Sequence, residues 1–333
     1  MSYRILVTGG TGFLGSTLVR TLLEGGYHVR ILRRATSNLS LLGKTAREVE
    51  HVVGDLQDVE SLLQAMESVD VVFHTAAYIG FGGRKERDRL FQTNVQGTAH
   101  VVNAALAQGV QRLVHTSSIA ALGRPERPHA PIDEQATWQP SRANTVYGFS
   151  KYLAEKEVYR GIAEGLDAVI VNPALIFGPG RRGENTMELV ERLQKGRIPA
   201  IPTGCTCVVD VEDVATGHLL ALERGKTGER YILGGENLTW KAILHTLAEA
   251  LDVPPPRYML PPGLALLIGA CMEGLSWLTG RPPLISRETV RTSSQCYRYS
   301  NQKALNELDW SFRPFRETAR RIATFLAETP EHV

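Results

Sequence analysis

The sequence predicts an α/β fold, a doubly wound parallel sheet with helices on both faces, and three observations carry that prediction. Short β-branched runs alternate with amphipathic helical segments through the first half of the chain. The turn after the first such run is crowded with glycine. After Asn172 the character changes: Gly and Pro become frequent and helical patterns follow. The 333 residues are enough for about two domains of ~150 residues each. Lys plus Arg number 37 and Asp plus Glu 35, a formal net charge of +2 that leaves no electrostatic footprint for nucleic acid or an anionic membrane.

The strands are read at Arg4–Thr8, His28–Leu32, Glu50–Val53, Val69–Phe73, Arg112–Thr116 and Ala168–Val171. Between them, Phe13–Glu24 (apolar at 13, 14, 18, 19, 22 and 23) and Thr98–Gln108 carry helical periodicity. Beyond Asn172, Val208–Val211 and Tyr231–Leu233 read as strands around a helix at Glu212–Arg224, which predicts that the chain returns to the main sheet. From Thr239 the pattern is mostly helical. The chain therefore divides into residues 1–174 with 208–234, and a smaller, discontinuous, mostly helical lobe of 175–207 with 235–333. The run Arg84–Arg89, of mixed sign, reads as a solvated face.

The stretch Leu260–Thr279 has about the length of a membrane span, but Pro261, Pro262 and Glu273 cut its apolar run below the ~18 residues a span needs. It is expected as a core or pocket-lining helix, with peripheral membrane contact as the other reading. Cys205, Cys207, Cys271 and Cys296 make no disulfide framework in so long a chain, and no metal-ligand spacing surrounds them. The N-terminal run is too soon broken by glycines for a signal peptide, so the cytoplasm is the expected compartment.

The glycine turn reads Gly9-Gly10-Thr11-Gly12-Phe13-Leu14-Gly15, between the first strand and the first helix. Glycines so placed permit a tight turn, let backbone N–H groups approach a pyrophosphate and bring helix and strand together, as in a Rossmann sheet. The helix then presents its positive end to the phosphates. NAD-binding turns carry Asp or Glu about 20 residues on. Here the second strand ends in Arg33-Arg34, and guanidinium groups grip a 2′-phosphate that a carboxylate would repel. NADP(H) is therefore expected in preference to NAD(H). Asp55, after the third strand, is placed either to accept from the adenine amino group or to cap the next helix.

Tyr147 and Lys151 lie four apart, on one face of a helix. A phenol titrates near 10, and an ammonium held against it favours phenolate. Lowering that pKa to about 7 or 8 would take roughly 3–4 kcal/mol of interaction with the charged form. The fifth strand ends Thr116-Ser117-Ser118 at the carboxyl edge of the sheet, where open α/β folds place ligands. A hydroxyl there can hold a carbonyl oxygen while the tyrosine protonates it. The other reading of Ser117 is an ordinary helix cap.

These motifs occur in order with Asp55-Leu56, His74-Thr75-Ala76-Ala77 and Asn94-Val95-Gln96-Gly97-Thr98, and the chain as a whole resembles an extended short-chain dehydrogenase/reductase. The resemblance implies Ser118, Tyr147 and Lys151 as the catalytic serine, tyrosine and lysine, with Asn94 supporting the site's architecture. It implies cofactor contacts at Gly9, Thr11, Gly12, Phe13, Leu14, Gly15, Arg33, Arg34, Asp55 and Leu56. Further contacts fall on Thr75, Ala76, Ala77, Pro173, Ala174 and Ile176, besides Tyr147 and Lys151. Nucleotide-sugar epimerases and dehydratases of that family usually carry Asn where Leu175 stands and Arg where Thr206 stands. Gly26–Arg30, Arg34, Pro173–Pro179, Asp133-Glu134 and Trp138 are instead similar to the dihydroflavonol-reductase and 3β-hydroxysteroid-dehydrogenase branch. That branch implies hydride transfer to or from a ketone, aldehyde or alcohol of an apolar small molecule, in a homodimer built on the Tyr147–Lys151 helix. Three other readings stand beside it: a sugar epimerase or dehydratase with tightly held NAD, a non-catalytic NADP sensor, and a membrane-peripheral sterol enzyme.

Overall fold

The computed structural model describes residues 3–80, 84–126, 130–279 and 286–329, with the side chains of Arg84 and of 275–279 outside that description. Strands β1 (Arg4–Thr8), β2 (His28–Arg33), β3 (Glu50–Val53), β4 (Val71–His74), β5 (Arg112–Thr116) and β6 (Ala168–Pro173) alternate with helices α1 (Phe13–Glu24), α2 (Val59–Met66), α3 (Arg84–Leu90), α4 (Gly97–Ala107) and α5 (Val146–Ala163). There follow β7 (Leu175–Phe177), α6 (Asn185–Gln194), β8 (Cys205–Asp210), α7 (Val211–Arg224), β9 (Arg230–Leu233) and β10 (Glu236–Thr239). The chain closes with α8 (Trp240–Ala250), α9 (Pro262–Thr279), α10 (Arg287–Ser294), α11 (Gln302–Leu308) and α12 (Phe315–Glu328).

The main sheet has the order β3-β2-β1-β4-β5-β6-β9, parallel throughout, and the order reverses between β1 and β4. Successive side chains of a strand point to opposite faces. Ile5 and Val7 accordingly pack with Leu18, Leu22 and Val214 on one side, and Leu6 packs with Leu62, Val101 and Val102 on the other. Each such side chain contributes roughly 1.5–3 kcal/mol on burial, and covering both faces is what makes these strands continuous apolar runs.

The strand near 208 does not rejoin that sheet, as the sequence led us to expect. Cys205–Asp210 lies between β7 and β10 in a separate three-stranded sheet, and β9 alone makes the return. The small sheet packs its own core, with Phe177, Val190, Val208, Leu244 and Phe315. The glycine- and proline-rich segment also holds a helix, α6, whose charged sequence hides three buried apolar residues, Met187, Val190 and Leu193. The fold joins Cys205 and Cys296 as a disulfide across 91 residues of sequence, a pairing that no local spacing announces. The apolar stretch forms a helix, and among its described side chains Ala265 is buried while Leu264 and Leu267 are 50% and 62% exposed; α9 approaches α10 at Gly269, against Ser286 and Arg287. Among the described residues no helix is long and apolar enough to cross a membrane.

Candidate active site

The glycine turn sits at the carboxyl end of β1, beside the reversal of strand order, where α/β sheets open a crevice. Gly9 takes φ +75°, and a Cβ there would lie 2.6 Å from the Ala76 backbone nitrogen. A Cβ on Gly15 would lie 2.1 Å from the Gly9 carbonyl oxygen. The two strand ends and the start of α1 thus touch backbone to backbone. Gly12 occupies the N-cap of α1 and offers no side-chain cap, so the first turn is open to an anion. Thr75 donates to the Thr8 carbonyl (2.7 Å) and brings Thr75-Ala76 against the same turn. These features fit a dinucleotide's pyrophosphate.

At the end of β2, Arg33 is held from the neighbouring strand: its Nε donates to His51 Nδ1 (3.0 Å), while His51 Nε2 donates to the Ala46 carbonyl (2.7 Å). Arg34 is exposed, and its backbone N–H donates to the Ser37 hydroxyl (3.0 Å). No sequence motif singles out His51, although parallel pairing of β2 with β3 brings it alongside. Asp55 does not cap α2. Asp58 does, accepting from Glu60 and Ser61, whereas the Asp55 carboxylate accepts from Gln57 N–H (2.9 Å).

The second half of the crevice is built by β5 and α5. Ser118, not Ser117, caps the short helical turn Ile119–Leu122, accepting from Ala120 N–H (3.2 Å), and its hydroxyl acts on the Tyr147 phenol, drawing that group's pKa down. Thr145 caps α5 by accepting from Gly148 N–H, and Glu288 of α10 accepts from Val146 N–H (2.9 Å), so α10 grips the residue before Tyr147. Lys151 is 1% exposed, and its ammonium donates to the Thr116 carbonyl (2.7 Å). Burial pushes it down to about 8, with Glu155 opposing. The Tyr147 phenol is not lowered as the sequence led us to expect. Loss of water raises it to about 12, with only the Ser118 hydroxyl pulling the other way. The ammonium is drawn to the Thr116 carbonyl, so desolvation decides the sign.

Asn94 lies in a π-helical turn, Phe91–Gln96, between α3 and α4. Its amide brackets Tyr78, accepting from the N–H (2.7 Å) and donating to the carbonyl (2.9 Å), and also donates to Ser150 (2.9 Å). It thereby ties the loop after β4 to the helix of Tyr147. Pro173 ends β6, Ala174 is buried behind the crevice and Ile176 lies in β7. Thr206 is locked into the small sheet opposite Leu238.

The model of the NAD dependent epimerase/dehydratase family matches residues 5–234, and the chain belongs to that family, as an extended short-chain dehydrogenase/reductase. A Synechocystis protein named "Putative dihydroflavonol 4-reductase" is 39% identical over 308 residues, 91% of this chain and 88% of its own. Sterol demethylase protein B of Methylococcus capsulatus is 36% identical over 306 residues, 91% of this chain and 92% of its own. A solved structure titled gox2253 superposes with a TM-score of 0.83 at 35% identity, covering 98% of both chains.

Proposed function

We propose that this protein is an NADP(H)-dependent oxidoreductase that reduces a ketone or aldehyde on an apolar small molecule, or oxidises the corresponding alcohol. The observation that carries this reading is the placement of Ser118 after β5 with Tyr147 and Lys151 one helical turn apart on α5, the Lys151 ammonium tied to the Thr116 carbonyl (2.7 Å), at the carboxyl edge beside the glycine turn. NADPH, when bound, supplies the hydride. The protein's own groups do the rest. Ser118 holds the substrate oxygen, and Tyr147, a neutral phenol at working pH, gives that oxygen its proton. Lys151 faces the phenolate left behind. Both named relatives support the reading, one as a reductase and the other through the apolar sterol in its name. A screen of aldehydes, β-ketoesters, aromatic ketones and steroids tests it, with NADPH consumed mole for mole with carbonyl as the expected result. Substrate conversion without net NADPH consumption would refute it in favour of an epimerase.

We assign the choice of cofactor to Arg33 and Arg34. Each charge-assisted hydrogen bond to a 2′-phosphate contributes about 1.5–3 kcal/mol. The Arg33→Ala, Arg34→Ala double variant removes at least one such bond from each arginine and should therefore bind NADPH roughly 10²–10⁴-fold more weakly, with NADH binding little changed, by fluorescence titration. Equal loss of both cofactors would overturn the assignment.

The working unit is proposed to be a cytoplasmic homodimer. On the side of α5 away from Lys151, Trp138 stacks on Tyr152 (5.0 Å) and meets Phe149 (5.7 Å), which is 37% exposed over a hollow of about 430 Å³. Sedimentation should show a dimer that Phe149→Asp converts to monomer; a monomeric parent protein would exclude it.

A further inference from the structure

The face of α5 that carries Tyr147 and Lys151 continues one turn to Glu155, a carboxylate that the proton transfer above leaves unused. Glu155 is 1% exposed. One carboxylate oxygen accepts from the Ser117 hydroxyl (2.6 Å) and from Asn172 Nδ2 (2.7 Å); the other pairs with Arg230 at 3.2 Å. Asn172 Nδ2 also donates to the Ser118 carbonyl (3.0 Å), and Arg230 donates to the carbonyls of Glu134 and Ala136. The Thr116–Ser118 segment is thus held at every residue: Thr116 by Lys151, Ser117 by Glu155, Ser118 by Asn172.

A buried ion pair is a weak source of stability, since apolar residues of similar volume often serve as well. Its charge needs another reason, and the groups around Lys151 supply one. His74 of β4 and His115 of β5 face the ammonium as neutral groups, and His218 of α7 bonds the hydroxyl of Thr116, the residue whose carbonyl holds the ammonium. Tyr159 of α5 and Arg230 of β9 lie on the far side of Glu155. We propose that Glu155 is a positioning residue of the reaction centre, setting Ser118 through Ser117 and Asn172 and supplying the negative charge that keeps Lys151 an ammonium in a dry site. Burial already draws Lys151 down to about 8, so losing the opposing charge would leave it neutral near physiological pH. The proposal uses the Tyr147–Lys151 chemistry inferred above, but its test does not depend on it.

Glu155→Gln keeps the shape of the side chain and removes the charge. Competitive acetylation with acetic anhydride from about pH 6 to 10, read by mass spectrometry on the Lys151 peptide, reports the ammonium's titration. The midpoint should fall by about one pH unit in Glu155→Gln. It should rise in Arg230→Met, which removes the cation competing for Glu155. The alkaline limit of NADPH binding should move the same way in each variant. A midpoint unchanged in folded Glu155→Gln overturns the proposal; a merely structural tie would lower binding at every pH without moving it. Should Glu155→Gln not fold, by circular dichroism, Arg230→Met decides alone, and an unmoved midpoint there overturns the proposal equally. A parent protein that binds no NADPH at any pH refutes the reductase reading instead, while the acetylation midpoint still scores Glu155.

Discussion

Tyr147→Phe should lower NADPH-dependent carbonyl reduction by roughly a hundred- to ten-thousand-fold, the usual contribution of a positioned general acid, with NADPH affinity held within about twofold. The substitution deletes one oxygen and keeps the ring that fills the space against Ser118 and α5. Because burial holds the phenol near 12, the neutral form dominates across the physiological range, as a proton donor requires. The two hydroxyls that precede Ser118 are already committed: Ser117 to Glu155, and the Thr116 hydroxyl to His218 Nε2 (2.7 Å). Stopped-flow hydride transfer and cofactor titration on the same preparation separate the outcomes. Retained turnover would move the proton donor elsewhere, and joint loss of turnover and NADPH binding would make Tyr147 a binding group.

The parts of the site that are legible in the sequence are those fixed by local rules. A glycine turn between a strand and a helix needs Gly9 and Gly15 because backbone fills the space a Cβ would take, and such a turn leaves a short, readable string. Tyr147 and Lys151 are visible because one helix carries both. What stays hidden depends on pairing between distant segments. His51 reaches Arg33 only because β2 and β3 are parallel neighbours, and Arg230 reaches Glu155 across 75 residues. The strand Cys205–Asp210 reads as a return to the main sheet since its apolar pattern suits either sheet; its partners are instead β7 and β10. Helix α9 reads as buried on hydrophobicity alone, which cannot say that Leu264 and Leu267 face outward. The direction in which Tyr147 moves escapes the sequence for a related reason, since spacing reports a cation nearby but not the carbonyl of Thr116 that holds it.

Beneath the same crevice lies the other large expected effect, a steep loss of stability in mild acid. His74, His115 and His218 are all 1% exposed or less. Burial, with Lys151 adding to it, lowers His74 to about 3; burial lowers His218 to about 4; and His115, with both ring nitrogens lacking partners, lies well below its usual value. His74 accepts from the Thr8 hydroxyl at Nδ1 (2.7 Å) and donates from Nε2 to Thr98 (3.0 Å), whose own hydroxyl donates to the Asn94 carbonyl. That chain accommodates a neutral ring only. Unfolded, each histidine titrates near 6.5, so below that value the unfolded chain binds protons that the fold refuses. The stability they contribute is complete above about pH 7 and is lost as pH falls through 6.5 toward the folded values. Between pH 7.5 and 5.5 each histidine removes about 1.3 kcal/mol, about 4 kcal/mol for the three, against a total of roughly 5–15 kcal/mol for a typical domain. Glu134, Asp213 and Glu288, which burial raises, gain protons in the fold and offset the loss at lower pH. Urea unfolding at the two pH values should show this drop, and His115→Leu, which removes a ring without hydrogen bonds, should lessen it by about a third. A pH dependence untouched by that substitution would place the acid sensitivity in some other group.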